Sequence, residues 1–249
     1  MGEKSYTVEG IVLRARDYKD TDKIVTLFSF ERGKLILLAK GARKTSGSLR
    51  GAVQLFGQGS FLVAIGRSSL DIITQGRQEQ GFPALSMDLT KIAYASYVVE
   101  LTEAALAEGR PAPDLYPYLL AALSLLALGD QPERAARFYE LKLLQELGAM
   151  PMLDSCQSCG RSLKGGAFYL DPAAGGVVCA SCAPREDLLI SPGAVLTLQR
   201  LATTELGRLT ALNWSKTIGR EMARALFHYL DYHLDYIPKS RSFLMDSRE

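Results

Sequence analysis

The sequence CQSC at residues 156–159 is matched in form by CASC at residues 179–182, and these two pairs hold all four cysteines of the chain. A two-residue gap lets both thiolates of a pair turn onto one ion, and two such pairs supply the tetrahedron that Zn²⁺ accepts. Two disulfides or four unrelated core thiols are the alternatives, but disulfides need an oxidising compartment, and no sequence feature indicates export. The spacing predicts one structural zinc ion in a segment 154–184. Its predicted ligands are Cys156, Cys159, Cys179 and Cys182.

The whole chain has the composition of an ordinary globular protein, with 249 residues, 47% hydrophobic and 22% charged. The N-terminus has no signal-peptide apolar region, and the longest apolar stretch, residues 118–128, is shorter than the roughly 20 residues of a membrane span. We therefore expect a cytoplasmic protein without a membrane partner.

The first eighty residues are predicted to form short strands. β-branched and aromatic runs at 6–13, 23–29, 34–39, 61–65 and 70–74 are separated by polar or glycine-containing turns, and Gly33 is available for a positive φ. Five short strands in about 75 residues are typical of a small closed barrel, of which the OB-fold is the best-known nucleic-acid-binding case. We predict an OB-fold nucleic-acid-binding domain over residues 1–80.

The remainder of the chain, residues 81–249, is predicted to be an α-helical domain with the zinc segment 154–184 inserted. Apolar residues recur at helical spacings from Asp88, in 115–128, in 133–147 and from about 215 to 236, and Ser191-Pro192 is a typical helix start. The expected fold class is therefore α+β and multidomain, with a β-barrel followed by helices.

Positive charge is concentrated in the predicted barrel. Residues 1–80 contain 13 Lys and Arg against 8 Asp and Glu, a balance of +5, whereas the whole chain has a net charge of +2. This division favours a polyanion as the partner of the barrel, although a solvated basic loop is the alternative. The candidate phosphate contacts are Arg14, Arg16, Lys34, Lys40, Arg43, Lys44 and Arg50.

Aromatic side chains in the same domain could stack on bases if they are exposed, although most are expected in the barrel core. They are Tyr6, Tyr18, Phe28, Phe30, Phe56 and Phe61.

A catalytic site is not indicated. Asp17, Asp20 and Asp22 could hold Mg²⁺ in a nuclease, but interleaved lysines favour a solvated turn between strands. His228 and His233 are five residues apart and do not share a helix face as an i, i+4 zinc pair would. We expect a protein that is not an enzyme, and we keep a Mg²⁺-dependent nuclease and an RNA-binding OB-fold protein as alternatives.

Several longer motifs resemble those of the bacterial RecO recombination mediators. They are AKGARK at 39–44, LRGA at 49–52, RFYELK at 137–142 with Leu147-Gly148, and Lys239-Ser240-Arg241. The resemblance extends over nearly the full length in the order barrel, helices, cysteine quartet, helices. Some members of the family lack the quartet.

The resemblance implies an N-terminal OB-fold, a helical domain and a zinc-binding segment. It implies binding of single- and double-stranded DNA, annealing of complementary strands, and loading of RecA recombinase onto DNA coated by single-stranded DNA-binding protein. The implied partners are RecR, in some cases RecF, and the acidic C-terminal tail of single-stranded DNA-binding protein. These expectations come from the family and not from composition or spacing.

Overall fold

The structure of the chain is a computed structural model that describes residues 4–45, 47–66, 70–129, 131–163, 165–184 and 188–246. The chain divides into two compact units. The first contains Met1–Gly129 together with Lys239–Glu249, and the second contains Asp130–Pro238. The predicted functional division at residue 80 lies inside the first unit and stays a prediction.

The first unit is built on a closed five-stranded barrel. Its strands are β1 (Ser5–Tyr18), β2 (Asp22–Ser29), β3 (Gly33–Ala39), β4 (Gln58–Ala64) and β5 (Asp71–Gln80). Their order around the barrel is β1-β2-β3-β5-β4, and β1 is also paired with β4. The long β1 reaches both neighbours because its first half pairs with β4 and its second half with β2. The parallel pair β3–β5 completes the ring. The predicted OB-fold barrel is confirmed.

Alternating side chains fill the barrel interior, as expected for strands with one face buried. Val25 and Leu27 of β2 and Leu37 and Ala39 of β3 are buried in one core cluster. A short helix α1 (Leu49–Ala52) adds Leu49 to this cluster. Four residues are too few to show a helical period, so α1 was not predicted.

A sharp turn separates β2 from β3. Gly33 has a φ of +68°, the left-handed region that favours glycine, as the sequence predicted. A Cβ at this position would lie 1.9 Å from the carbonyl oxygen of Arg110. The turn therefore tolerates only glycine, both for its backbone angle and for this close approach.

Three helices complete the first unit. They are α2 (Leu89–Ala105), α3 (Leu115–Leu128) and α7 (Arg241–Asp246), and a 3₁₀ turn, Pro83–Met87, precedes α2. The Asp88 carboxylate accepts the backbone N–H groups of Thr90 and Lys91 and so caps α2. The chain returns to this unit after Pro238, and α7 packs against α2.

The second unit contains the remaining helices and the cysteine segment. Its helices are α4 (Pro132–Glu146), α5 (Pro192–Thr203) and α6 (Lys216–Leu234), and α4 packs against the other two. Ser191 and Ser215 cap α5 and α6 through their hydroxyl groups. Between α4 and α5 lies a hairpin of β6 (Phe168–Asp171) and β7 (Gly176–Cys179). In the described residues, no helix has the length and apolar character needed to cross a membrane.

Candidate nucleic-acid interface and metal centre

The basic loop, defined as residues 40–48, is held by the turn between β1 and β2. The backbone N–H of Gly41 donates to Asp22 Oδ1 over 2.9 Å, and the N–H of Arg43 donates to the carbonyl of Thr21 over 2.9 Å. The two segments meet because β3 ends beside the start of β2, with Ala39 opposite Lys23. The loop backbone is therefore fixed at Gly41 and Arg43, while Lys40, Arg43 and Lys44 remain exposed.

The side chain of Arg43 strengthens this connection. Its Nη1 donates to the carbonyl oxygen of Lys19 over 2.8 Å, and its Nε lies 3.2 Å from Asp17 Oδ2. Lys23 Nζ reaches the other oxygen of the same carboxylate over 2.8 Å. Arg43 is thus an exposed cation that also joins the loop to the turn.

Charges and donors around the turn lower the pKa of two carboxyl groups. The hydrogen bond from Lys23 and then the charge of Arg43 lower the pKa of Asp17. The N–H of Gly41 lowers that of Asp22, helped by the hydroxyl of Thr21 and the charge of Lys40. Both carboxylates are therefore ionised near neutral pH and hold their partners.

Six of the seven predicted phosphate contacts fall into two groups. Lys40, Arg43, Lys44 and Arg50 are exposed on the basic loop and on α1. By contrast, Arg14 and Lys34 both contact Glu103 near the end of α2. The Arg14 guanidinium forms a 3.0 Å ion pair with the Glu103 carboxylate, and Lys34 Nζ donates a 2.8 Å hydrogen bond to the Glu103 backbone carbonyl.

Through these contacts with Glu103, Arg14 and Lys34 help to hold α2 on the barrel. Arg16 belongs to neither group and is exposed on β1, opposite Ile24 of β2. The assignment of all seven residues to DNA stays a prediction.

The aromatic residues of the barrel are mostly interior, as the sequence analysis expected. Phe28, Phe56 and Phe61 are buried. Tyr6 is half-buried, with its hydroxyl donating to Asp71 over 2.8 Å. Tyr18 and Phe30 are exposed, by 38% and 44%.

The acidic turn has a role that the sequence analysis missed. We interpreted Asp17, Asp20 and Asp22 as a solvated turn, whereas Asp17 and Asp22 hold the basic loop. The signal is absent from local sequence because Asp22 and Gly41 are 19 residues apart. Within the described ranges, the four cysteines are the only group of three or more His, Cys, Asp or Glu side chains placed to hold a metal ion.

The four cysteines converge, with their Sγ atoms all within 4.8 Å of one another. Cys156 is buried, Cys179 and Cys182 are half-buried, and Cys159 is exposed. Four thiolates at this spacing are close enough to bind one metal ion and are compatible with Zn²⁺.

Two turns bring the thiols together. In the first, the Cys156 N–H donates to the carbonyl of Arg161 over 2.9 Å and the Gly160 N–H donates to the carbonyl of Cys156 over 2.8 Å. The second turn begins with Cys179 at the end of β7 and continues as a 3₁₀ turn to Cys182. The Cys179 N–H donates to Cys156 Sγ over 3.3 Å, which links the two turns. Behind them, Cys156, Tyr169 and Val178 form a small core.

The protonation of these thiols reflects their crowding. Burial alone would raise the pKa of Cys156, but backbone N–H donors, first among them that of Cys179, lower it to about 6. Hydrogen bonds with Cys179 and Cys159 raise the pKa of Cys182 to about 12.

Gathering four thiolates is unfavourable without a cation, and a divalent ion removes this penalty. From their closeness in sequence to the cysteines, Arg161, Lys164 and Arg185 are predicted to offset the negative charge of a four-thiolate zinc site. Arg161 is described, whereas Lys164 and Arg185 lie outside the described residues.

Comparison with known proteins finds matches over nearly the whole chain. Residues 1–82 match the family model for the recombination protein O N terminal, and residues 86–242 match that for the recombination protein O C terminal. Similar curated proteins are the DNA repair protein RecO of Pelotomaculum thermopropionicum, 39% identical, and that of Desulforamulus reducens, 35% identical, each match covering 97% of this chain and 94% of the relative. The RecO protein of Desulforudis audaxviator is 37% identical, over 97% of this chain and 96% of the relative.

Proposed function

This chain belongs to the recombination protein O (RecO) family, and we propose that it is a mediator of DNA repair and homologous recombination. It binds single- and double-stranded DNA, anneals complementary strands, and helps load RecA recombinase onto DNA coated by single-stranded DNA-binding protein. The observation that carries the proposal is the ordered match of both family models along the chain. The relatives are named DNA repair proteins, which supports a role in repair. Strand annealing and RecA loading are our proposal.

DNA binding is assigned to the barrel, residues 1–80, and in particular to the basic loop. The exposed cations of the loop lie on a backbone that is already fixed, so binding costs little conformational entropy. Lys40, Arg43, Lys44 and Arg50 contact phosphates, and Arg14, Arg16 and Lys34 extend the surface along the sheet. Because these contacts do not read base edges, binding has little sequence preference.

The cysteine quartet holds one structural Zn²⁺. Its four thiolates complete a tetrahedron and leave no position for substrate or water, so the ion stabilises the segment 154–184 and does no chemistry on DNA. Losing it unfolds the two cysteine turns, because the metal ion is what holds their four thiolates together.

The helical part, residues 81–249, contacts protein partners. These are RecR, in some cases RecF, and the acidic tail of single-stranded DNA-binding protein, with RecA acting indirectly. The protein works in the cytoplasm at the bacterial nucleoid.

The function is not enzymatic. The rival function, a Mg²⁺-dependent nuclease, depends on the carboxylates of residues 17–22. Asp17 and Asp22 are engaged with Lys23, Arg43 and the Gly41 N–H, which leaves them poorly suited to a metal ion. Incubating labelled DNA with the protein and Mg²⁺ should give no cleavage, and protein-dependent cleavage would support the nuclease.

The deciding experiment is annealing of complementary strands that are first coated with single-stranded DNA-binding protein. The protein should accelerate annealing, and deletion of the tail of the coating protein should remove this effect. Lys44→Glu should slow annealing and leave binding of an isolated tail peptide unchanged, because the two contacts belong to different parts of the chain. RNA strands of the same sequence serve as competitors, and preferential binding of RNA would contradict the proposal.

A further inference from the structure

Tyr18 is the one aromatic residue among the six considered that lies at the turn holding the basic loop. It is the last residue of β1, opposite Asp22 in the strand pairing, and 38% of it is exposed. Lys19 follows it with a φ of +53°, and the Lys19 Nζ lies 5.3 Å from the centroid of the Tyr18 ring. An ammonium group at this distance is attracted to the ring.

The ring and the basic loop are joined through the backbone. The carbonyl oxygen of Lys19 accepts the 2.8 Å hydrogen bond from Arg43, and the carbonyl of Thr21 accepts the Arg43 N–H. These hydrogen bonds join the turn to the loop. The turn carries the exposed Tyr18 ring and the Lys19 ammonium, and the loop carries the Arg43 guanidinium. Nonspecific single-strand sites combine these features, aromatic faces for bases and cations for the phosphates between them.

We propose that Tyr18 stacks on an unpaired base of single-stranded DNA while Lys19 and Arg43 contact the adjacent phosphates. This proposal rests on DNA binding by the barrel, as proposed above, and adds a residue that distinguishes single strands from duplex. Every base has an aromatic face, so stacking adds affinity without sequence preference. Bases in a duplex are already stacked on their neighbours and present only phosphates and groove edges.

Phe30 provides a matched control. It is exposed to a similar extent, 44%, but it follows the other end of β2. Its ring meets Tyr116 edge-on, with centroids 5.6 Å apart. If exposed aromatic surface alone adds DNA affinity, Phe30→Leu and Tyr18→Ala should behave alike.

The test measures affinity of the full chain for three DNA probes of equal length. They are a single strand, the same backbone with abasic sites in place of bases, and a duplex. Tyr18→Ala should lose about 5- to 100-fold affinity for the single strand, and its affinity for the abasic strand and the duplex should equal that of wild type. Tyr18→Phe and Tyr18→Trp should keep wild-type affinity, and Phe30→Leu should change none of the three.

The outcomes separate this proposal from the general one. If Lys44→Glu weakens binding to all three probes while Tyr18→Ala changes none, the barrel binds DNA and stacking by Tyr18 is wrong. An equal loss by Tyr18→Ala on intact and abasic strands also overturns stacking, since the ring then acts through the fold. If the wild type binds none of the probes, both proposals fail. Melting temperature and zinc content of each variant show that it is folded.

Discussion

The basic loop 40–48 and the cysteine segment 154–184 both connect longer elements of their units, but different forces order them. The loop is fixed by hydrogen bonds and ion pairs to a neighbouring turn, and its cations face solvent. In the segment, the Sγ atoms of the four cysteines lie within 4.8 Å of one another, beside a small core of Cys156, Tyr169 and Val178. The loop therefore presents positive charge on a backbone fixed by its neighbours, whereas the segment brings together four thiols that could share one metal ion.

This difference predicts how each region fails. Removing charge from the loop should reduce binding and leave most of the barrel intact, because the cations of the loop are exposed and the barrel core is formed by apolar residues. Removing a ligand from the segment should unfold it locally, because a structural metal contributes folding free energy directly. The four predictions below test this contrast.

The largest effect is expected from loss of a thiol. Cys179→Ser should abolish stoichiometric zinc binding, since apparent binding free energies for such sites are about 10–16 kcal/mol near neutral pH and depend on all four ligands. Elemental analysis and hydrogen exchange over residues 155–182 measure the loss. Ser181→Ala, in the same turn, is the control and should keep its zinc. Wild-type melting by Cys179→Ser would show that the metal does not organise the segment.

Charge reversal in the loop should have the next largest effect. If about four cations contact single-strand phosphates, log affinity should fall with log salt at a slope near −3, and Lys44→Glu should flatten it by about 1. Lys44 is chosen because replacing Arg43 would also remove its contacts with Asp17 and with the Lys19 carbonyl. Arg43→Glu would place two carboxylates together and should lower the melting temperature slightly as well. A Lys44→Glu protein with wild-type affinity and slope would remove the loop from the DNA site.

A smaller effect, with an unusual sign, is expected at Asp22. Removing a negative charge near a DNA site ordinarily strengthens binding, but Asp22→Ala should weaken it severalfold because the Gly41 N–H loses its acceptor. Asp22→Asn, which keeps an oxygen acceptor, should restore part of the affinity. Asp20→Asn in the same turn is the control and should bind as tightly as wild type or more tightly. If Asp22→Ala instead binds more tightly, the carboxylate does not organise the loop.

The smallest effect concerns pH. The pKa of Asp22 is lowered in the folded protein, so the stabilisation that it gives is present above its unfolded pKa of about 3.9 and is lost as pH falls through the folded value. The amide proton of Gly41 should therefore stay protected from exchange down to about pH 4 and lose protection below it. In Asp22→Asn, protection should not depend on this titration. Loss of protection between pH 7 and 5 would indicate that another group holds the loop.

Local patterns were enough to predict most elements of this protein. Runs of β-branched and aromatic residues between turns indicated all five barrel strands, and α3 was predicted with its observed bounds, Leu115–Leu128. The cysteine spacing indicated that the four thiols converge, as they do. Such predictions succeed because strand alternation, helix period and ligand spacing are set by residues near one another in sequence.

Short elements were not predicted, because the local sequence carries little signal for them. The hairpin β6–β7 was missed because each strand has only four residues. α7 was missed because its six residues are too few to show a helical period. Both elements exist through their packing, α7 against α2 and β6 against β7.

The sequence by itself determined a basic five-stranded barrel, several helices, a cysteine quartet and the family resemblance. Only the tertiary structure decided that Asp22 and Thr21 fix the basic loop, that Arg14 and Lys34 meet at Glu103, and that α2 and α3 lie in the same compact unit as the barrel. The physical reason is that a charged residue in a turn has the same local sequence whether it faces water or a distant backbone amide. Strand order and register determine its hydrogen-bond partner, because they bring residues 19 or more positions apart within hydrogen-bond distance.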